Sequence, residues 1–190
     1  MNNIFSVKNA IKSFNSTLRI EGDKSLSIRW ALLASQAIGK SSAQNILVSE
    51  DVLNTLKCLK ALGVKIKLNK NKCEIKGLGI NGFKYKKKIT LNAGNSGTLA
   101  RLILGLLTHS KYDVKIIGDK SLSKRDFLRV IKPLEKFGAR FTSNNNKLPI
   151  IIKGTNNPKP IKYIEDKGSA QCKTAVMLAS LNTEGTTIIK

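Results

Sequence analysis

The chain has 190 residues, 41% of them apolar and 24% charged, close to the averages for globular domains. That length allows one domain, or one domain and part of another, and supports a sizeable core. Disorder is excluded, and no apolar run approaches the ~20 residues of a membrane span. Lys and Arg number 34 against 12 Asp and Glu, for a net charge of +22. Such a charge points either to a lysine-rich solvated surface or to an anionic partner.

Arginine occurs only at Arg19, Arg29, Arg101, Arg125, Arg129 and Arg140; every other cation of that count is a lysine. Many lysines alternate with apolar residues, as in Lys65-Ile66-Lys67-Leu68, which turns them to water on a half-buried strand. The segment after Met1 lacks the long apolar stretch of a secretion signal. Cys58, Cys73 and Cys172 are odd in number, far apart and without C-x-x-C spacing. That argues against a disulfide framework or a zinc site and for a reducing cytoplasm. The single histidine, His109, reads as a surface residue rather than a catalyst.

A repeated unit organises the chain. Lys24-Ser25-Leu26-Ser27-Ile28-Arg29 opens an apolar helix at Trp30-Ala31-Leu32. A strand is predicted over Ala43-Gln44-Asn45-Ile46-Leu47-Val48. A second helix begins at Asp51, sets Leu56, Leu59 and Leu62 on one face and stops at Gly63. Two strands follow, Val64-Lys65-Ile66-Lys67-Leu68 and Glu74-Ile75-Lys76-Gly77, with a hairpin turn over 69–73. The second copy repeats this order. Asn95-Ser96-Gly97-Thr98 opens onto Leu102-Ile103-Leu104, and Val114-Lys115-Ile116-Ile117 is the next strand. A helix from Asp126 carries Ile131, Leu134 and Phe137 to Gly138, and strands flank a turn over 143–147. Asp51 and Asp126 are predicted N-caps, Gly63 and Gly138 left-handed residues past the helix ends, and Pro133 a kink. In the third copy, Ser169-Ala170-Gln171-Cys172-Lys173 opens onto Ala175-Val176-Met177-Leu178, and Thr186-Thr187-Ile188-Ile189-Lys190 begins a strand. The unit is βαβαββ-like, and the fold class is α/β (α+β). Two copies are full, over about 21–91 and 92–165, and a third, 166–190, is incomplete. A strand without its following helix implies a truncated chain.

Each first helix opens with small hydroxyl, amide or glycine residues and then a cation. Helix N-termini carry unpaired N–H groups and about half a positive charge, so they suit anions, phosphate above all. Ordinary capping by Ser and Asn explains any one of them; three related ones at one end of a domain favour a shared anion site. Two segments, Gly22-Asp23-Lys24-Ser25-Leu26-Ser27-Ile28-Arg29 and Gly118-Asp119-Lys120-Ser121-Leu122-Ser123-Lys124-Arg125, share G-D-K-S-L-S-x-R at a spacing outside the repeat. The first opens a first helix and the second a second helix, so common chemistry around a phosphorylated ligand, or chance, accounts for them. Neither has the spacing of a Walker loop.

These residues resemble a known family, the 3-phosphoshikimate 1-carboxyvinyltransferases or EPSP synthases. The segment 22–29 is similar to the family's G-D-K-S-x-S-H-R, and Gly94-Asn95-Ser96-Gly97-Thr98-Leu99-Ala100-Arg101 to its G-N-[SA]-G-T-x-x-R. Residues 119–125 resemble D-x-S-L-x-x-R-P, and Ser169-Ala170-Gln171-Cys172-Lys173-Thr174-Ala175 resembles S-A-Q-x-K-[ST]-A. Ile28 replaces the family's histidine, and Asp126 stands where proline follows the arginine.

The resemblance implies an inside-out α/β barrel domain built from three repeats, with residues 21–190 as an incomplete substrate-binding domain and 1–20 as a strand region of the other domain. It implies transfer of the enolpyruvyl group of phosphoenolpyruvate to the 5-hydroxyl of shikimate 3-phosphate, with release of phosphate. No metal or organic cofactor, nucleic acid or membrane is implied, and the full-length protein is expected to be a cytoplasmic monomer. Lys24 is the implied catalytic cation, contacting both substrates. Ser25 and Arg29 would bind shikimate 3-phosphate, Ser169 and the Ala170 backbone its phosphate, and Gln171 would lie between the substrates. Asn95 and Gly97 would line the phosphoenolpyruvate site, with Arg125 as its forked phosphate ligand; glycine at 97 implies a glyphosate-sensitive type. Arg101 and Lys173 are left as helix decoration. The acid/base carboxylates would lie outside this chain, which is expected to be inactive alone. The related UDP-N-acetylglucosamine enolpyruvyl transferase is the alternative, but none of the three cysteines has the Gly-rich surroundings of its reactive thiol. A lysine-rich nucleic-acid-binding module is the remote alternative; with 5% aromatic residues it would lack stacking platforms.

Overall fold

The computed structural model describes Ser6, Lys8, Asn9 and residues 12–190. The first copy of the repeat contains α1 (Lys24–Gln36), β1 (Ile38–Ala43), α2 (Glu50–Ala61), β2 (Lys65–Asn69) and β3 (Lys72–Leu78). The second contains β4 (Ile89–Asn92), α3 (Gly97–Leu106), β5 (Val114–Ile117), α4 (Leu128–Lys136), β6 (Arg140–Asn144) and β7 (Lys147–Lys153). The chain continues through β8 (Lys162–Tyr163), α5 (Ala170–Ser180) and β9 (Ile188–Ile189). In β2 every lysine faces out and its apolar neighbours turn inward, as the alternation requires.

The sheets repeat as the sequence does. β1 and β2 flank β3, both antiparallel to it. β5 and β6 flank β7 in the same sense, and β4 adds to the outer edge of β5 in parallel. β8 and β9 form a parallel pair of their own, so the β4–α3–β5 crossover recurs as β8–α5–β9.

α3 is the centre of the core. Nine of its residues are buried, and Arg101 is the exception; a helix apolar all round must be enclosed. Its neighbour α5 comes unusually close. A Cβ on Gly105 would lie 2.2 Å from the Ala175 carbonyl oxygen, so only glycine lets the two helix backbones meet. α1 and α2 bury Ile28, Leu32, Leu56 and Leu59 into the same cluster.

Four expectations need correction. The first-copy strand spans 38–43, not 43–48. Its ladder with β3 ends at the Ala43–Cys73 pair, and Asn45 adopts a left-handed φ of 57° that breaks the extended run. α2 begins at Glu50 behind Ser49, because the Asp51 carboxylate is taken by Lys24 at 3.0 Å. Asp126 precedes α4 instead of capping it: its Oδ1 accepts the Leu128 amide at 2.6 Å, and the helix starts at that residue behind Phe127. His109 is half-buried, with Nε2 bonded to the Ala179 carbonyl at 2.9 Å. Gly63 and Gly138 do take left-handed φ, 92° and 108°, past the ends of α2 and α4, and α4 runs through Pro133 to Lys136. The described residues before Lys24 form no strand.

Candidate functional site

The amino ends of α1, α3 and α5 lie side by side. Arg29, one turn into α1, donates from Nε to the Thr174 hydroxyl of α5 at 3.3 Å and from Nη1 to the Ser25 carbonyl at 3.3 Å. Gln171, in the first turn of α5, donates from Nε2 to the Thr98 hydroxyl in the first turn of α3 at 3.1 Å. Both contacts join first or second turns, so the unpaired amides and positive dipole ends of the three helices share one region.

Each helix start has a side-chain cap that takes one first-turn amide and leaves earlier ones open. Asp23 caps α1 through its carboxylate, Ser96 caps α3 and Ser169 caps α5. Ser25, the second residue of α1, and Asn95, just before the α3 cap, are not the caps. Ser169 Oγ accepts the Cys172 amide at 3.2 Å, which leaves its hydroxyl proton for an acceptor. Ala170 is the exposed first residue of α5, so its N–H is one of the four that a helix start cannot satisfy internally.

Around α3 the cations are held in place. Asn95 donates to Asp119 Oδ2 at 2.6 Å and accepts Arg125 Nη2 at 3.2 Å, so one carboxamide links two residues of the 118–125 segment. A Cβ on Gly97 would lie 2.8 Å from Arg101 Nη1 and 2.9 Å from Arg125 Nη1. Both guanidinium groups therefore reach the first residue of α3. Arg101 is held by the Gly97 and Asp126 carbonyls and stacks over the Phe127 ring at 4.7 Å. Burial and the charges of Arg125 and Arg129 hold its pKa below the usual arginine value.

Lys24 sits at the rim. Its ammonium pairs with Asp51 of α2 at 3.0 Å. The start of α2 in turn faces the loop before α3, since a Cβ on Gly94 would lie 2.3 Å from Asn54 Nδ2 and 3.6 Å from Glu50 Oε1. Lys24 is thus connected to the Asn95 loop through α2.

The two G-D-K-S-L-S-x-R segments are the same capped turn after all. Asp23 accepts the Leu26 amide at 2.7 Å on its side chain and the Ser27 amide at 3.0 Å on its carbonyl. Asp119 accepts Leu122 at 2.7 Å and Ser123 at 2.9 Å in the same way. The second copy does not open α4; it forms a single 3-10 turn over Leu122–Lys124. Local capping explains the shared string, and sequence reading did not separate that from ligand chemistry.

Residues outside the expected set complete the region: Asp51, Thr98, Arg101, Asp119 and Thr174. Arg101 was legible as the last residue of the 94–101 motif, but its reach back to Gly97 depends on one helical turn of backbone that spacing alone leaves ambiguous.

The family model for EPSP synthase (3-phosphoshikimate 1-carboxyvinyltransferase) matches residues 8–190. The chain belongs to the EPSP synthase family. A 3-phosphoshikimate 1-carboxyvinyltransferase of Vesicomyosocius okutanii is 46% identical over 182 residues, covering 96% of this chain and 42% of the relative. One from Ruthia magnifica is 46% identical over 178 residues, covering 94% and 41%. The EPSP synthase structure from Acinetobacter baumannii superposes with a TM-score of 0.86 at 37% identity, over 91% of this chain and 39% of that one. The chain thus spans about two-fifths of the length of the curated relatives it matches. No helix among the described residues is long and apolar enough to cross a membrane. Cys58, Cys73 and Cys172 are free and buried.

Proposed function

We propose that this chain forms the substrate-gathering part of an enzyme that transfers the enolpyruvyl group of phosphoenolpyruvate to the 5-hydroxyl of shikimate 3-phosphate, releasing phosphate. The observation that carries the reading is the hydrogen-bonded meeting of three helix N-termini beside Arg29, Arg101 and Arg125. Such a region neutralises two polyanionic reactants and holds them together, which converts a bimolecular encounter into an oriented one. Ser169, the Ala170 amide, Ser25 and Arg29 hold shikimate 3-phosphate, and Gln171 sits between the two reactants. Arg125, Asn95 and Gly97 hold phosphoenolpyruvate, with the arginine as a planar fork. Lys24 offsets negative charge near the reacting carbons. The 5-hydroxyl gives up its proton as its oxygen bonds to the central carbon of phosphoenolpyruvate, while a proton adds to the methylene. Loss of phosphate and of one methyl proton then restores the double bond. Proton transfer falls to carboxylates in the part of the family's length that this chain does not span.

Residues 21–190 are read as an incomplete three-repeat barrel domain, 1–20 as part of the companion domain, and the whole protein as a cytoplasmic monomer; three buried free thiols suit a reducing compartment. The names of the matched relatives favour 3-phosphoshikimate over a sugar nucleotide as acceptor. Calorimetric titration of residues 1–190 with shikimate 3-phosphate tests the reading. Saturable one-to-one binding without phosphate release on adding phosphoenolpyruvate is expected; no binding overturns it.

A further inference from the structure

Glu165 stands apart from the site yet is the most heavily bonded carboxylate in its neighbourhood. Its side chain is 1% exposed although it lies on a loop. Oε1 accepts Arg129 Nη2 of α4 at 2.7 Å and the Lys167 amide at 3.1 Å. Oε2 accepts the hydroxyl of Tyr163 on β8. Its own amide donates to the Lys190 carbonyl at 3.1 Å, just beyond β9. Through its side chain and its own amide, one residue therefore ties α4, the β8–β9 pair and the loop over 165–169 to a single point.

Burial would raise the Glu165 pKa, but the bonds from Tyr163, Lys167 and Arg129, with the Ser169 amide, outweigh it and hold the carboxyl down at about 2. The group is a permanent anion at neutral pH. A buried anion with several donors is costly to disturb, because removing one partner leaves the others unpaired.

That loop ends at Ser169, the cap of α5, four residues after Glu165. We infer that Glu165 is a positioning residue: it fixes the entry of α5 so that Ser169, Ala170 and Gln171 present their donors to the phosphate of bound shikimate 3-phosphate. The inference rests on the proposed substrate reading. Arg129 serves as the outer strut, since it reaches Glu165 from α4 while remaining 46% exposed itself.

The test is amide hydrogen exchange together with calorimetric titration of residues 1–190 with shikimate 3-phosphate, for the unaltered chain, Glu165→Ala and Arg129→Ala. The second variant removes one donor from an exposed position, so it keeps the test decisive should the first fail to fold. Binding is expected to weaken about tenfold in Glu165→Ala and severalfold in Arg129→Ala, as for the loss of an outer partner of a ligand. Exchange should quicken at the bonded amides of Ser169, Cys172 and Lys173 and stay unchanged at those of Leu99 and Ala100 in α3, a contrast that general destabilisation would not give. An unaltered chain that ignores shikimate 3-phosphate overturns the substrate reading, and shows this before any variant is made. Folded variants that bind as the unaltered chain does, or that quicken both helix starts equally, overturn the role of Glu165.

Discussion

Replacing Gly97 with alanine adds one methyl group at the point where two guanidinium groups meet. The new Cβ would sit 2.8 Å from Arg101 Nη1, 2.9 Å from Arg125 Nη1 and 3.7 Å from Leu122 Cδ1. Ordinary contact requires each nitrogen to retreat by about half an ångström. Arg101 resists, because two carbonyls and the Phe127 face hold it. Arg125 is held by Asn95 at 3.2 Å in an exposed bond, so it moves more readily. A misplaced fork binds a phosphate less well, and an error of about 1 Å can cost ~100-fold; a shift of half that size should weaken phosphoenolpyruvate about tenfold, or ~1.4 kcal/mol. The fold should not suffer, since alanine is a better helix former than glycine by up to ~1 kcal/mol. Calorimetry with phosphoenolpyruvate in the presence of saturating shikimate 3-phosphate reads the effect, with a thermal melt as control. Unchanged phosphoenolpyruvate affinity, or a loss matched by a fallen melting temperature, would refute the reasoning. Glyphosate affinity should fall in parallel; binding equally weak in both proteins would reject the sensitive type that glycine implies.

Arg125→Lys keeps the charge but loses the fork, and phosphoenolpyruvate affinity in the same titration should drop about tenfold; an unchanged value would remove Arg125 from the site. Gly105→Ala places a methyl 2.2 Å from the Ala175 carbonyl oxygen and 3.0 Å from its carbon, backbone that cannot swing aside. Overpacking of this kind should cost about 2–3 kcal/mol, seen in urea unfolding, and a loss under ~0.5 kcal/mol would contradict the close α3–α5 approach. Burial lowers the His109 pKa and the bond to Ala179 only partly restores it. Its neutral form is therefore favoured by folding: the stability is present above the unfolded value of about 6.5 and lost as pH falls through it towards the lower folded value. His109→Gln should flatten that slope in unfolding measured between about pH 5 and 7; an unaltered slope would rule His109 out as its source.

The helices were legible because their apolar residues fall three and four apart, and Gly63 and Gly138 closed two of them. β1 was not, because Ile38-Gly39-Lys40-Ser41-Ser42-Ala43 alternates nothing and lies largely exposed at a sheet edge; pairing with β3, not its own composition, makes it a strand. Asp51 and Asp126 looked like caps by position, but a nearby Lys24 and a two-residue turn claim their carboxylates instead. In the site, the motif residues were visible as types. What ties them together was not: Gln171 to Thr98 and Arg29 to Thr174 join residues 73 and 145 apart in the chain, and no local pattern encodes such distances.

The central claim is that three helix starts act as one anion site. Heteronuclear NMR of residues 1–190 titrated with shikimate 3-phosphate addresses it directly. The amides of Ser25, Gly97 and Ala170 should move along a single isotherm with one Kd. Shifts confined to one helix start, or three separate affinities, would contradict it.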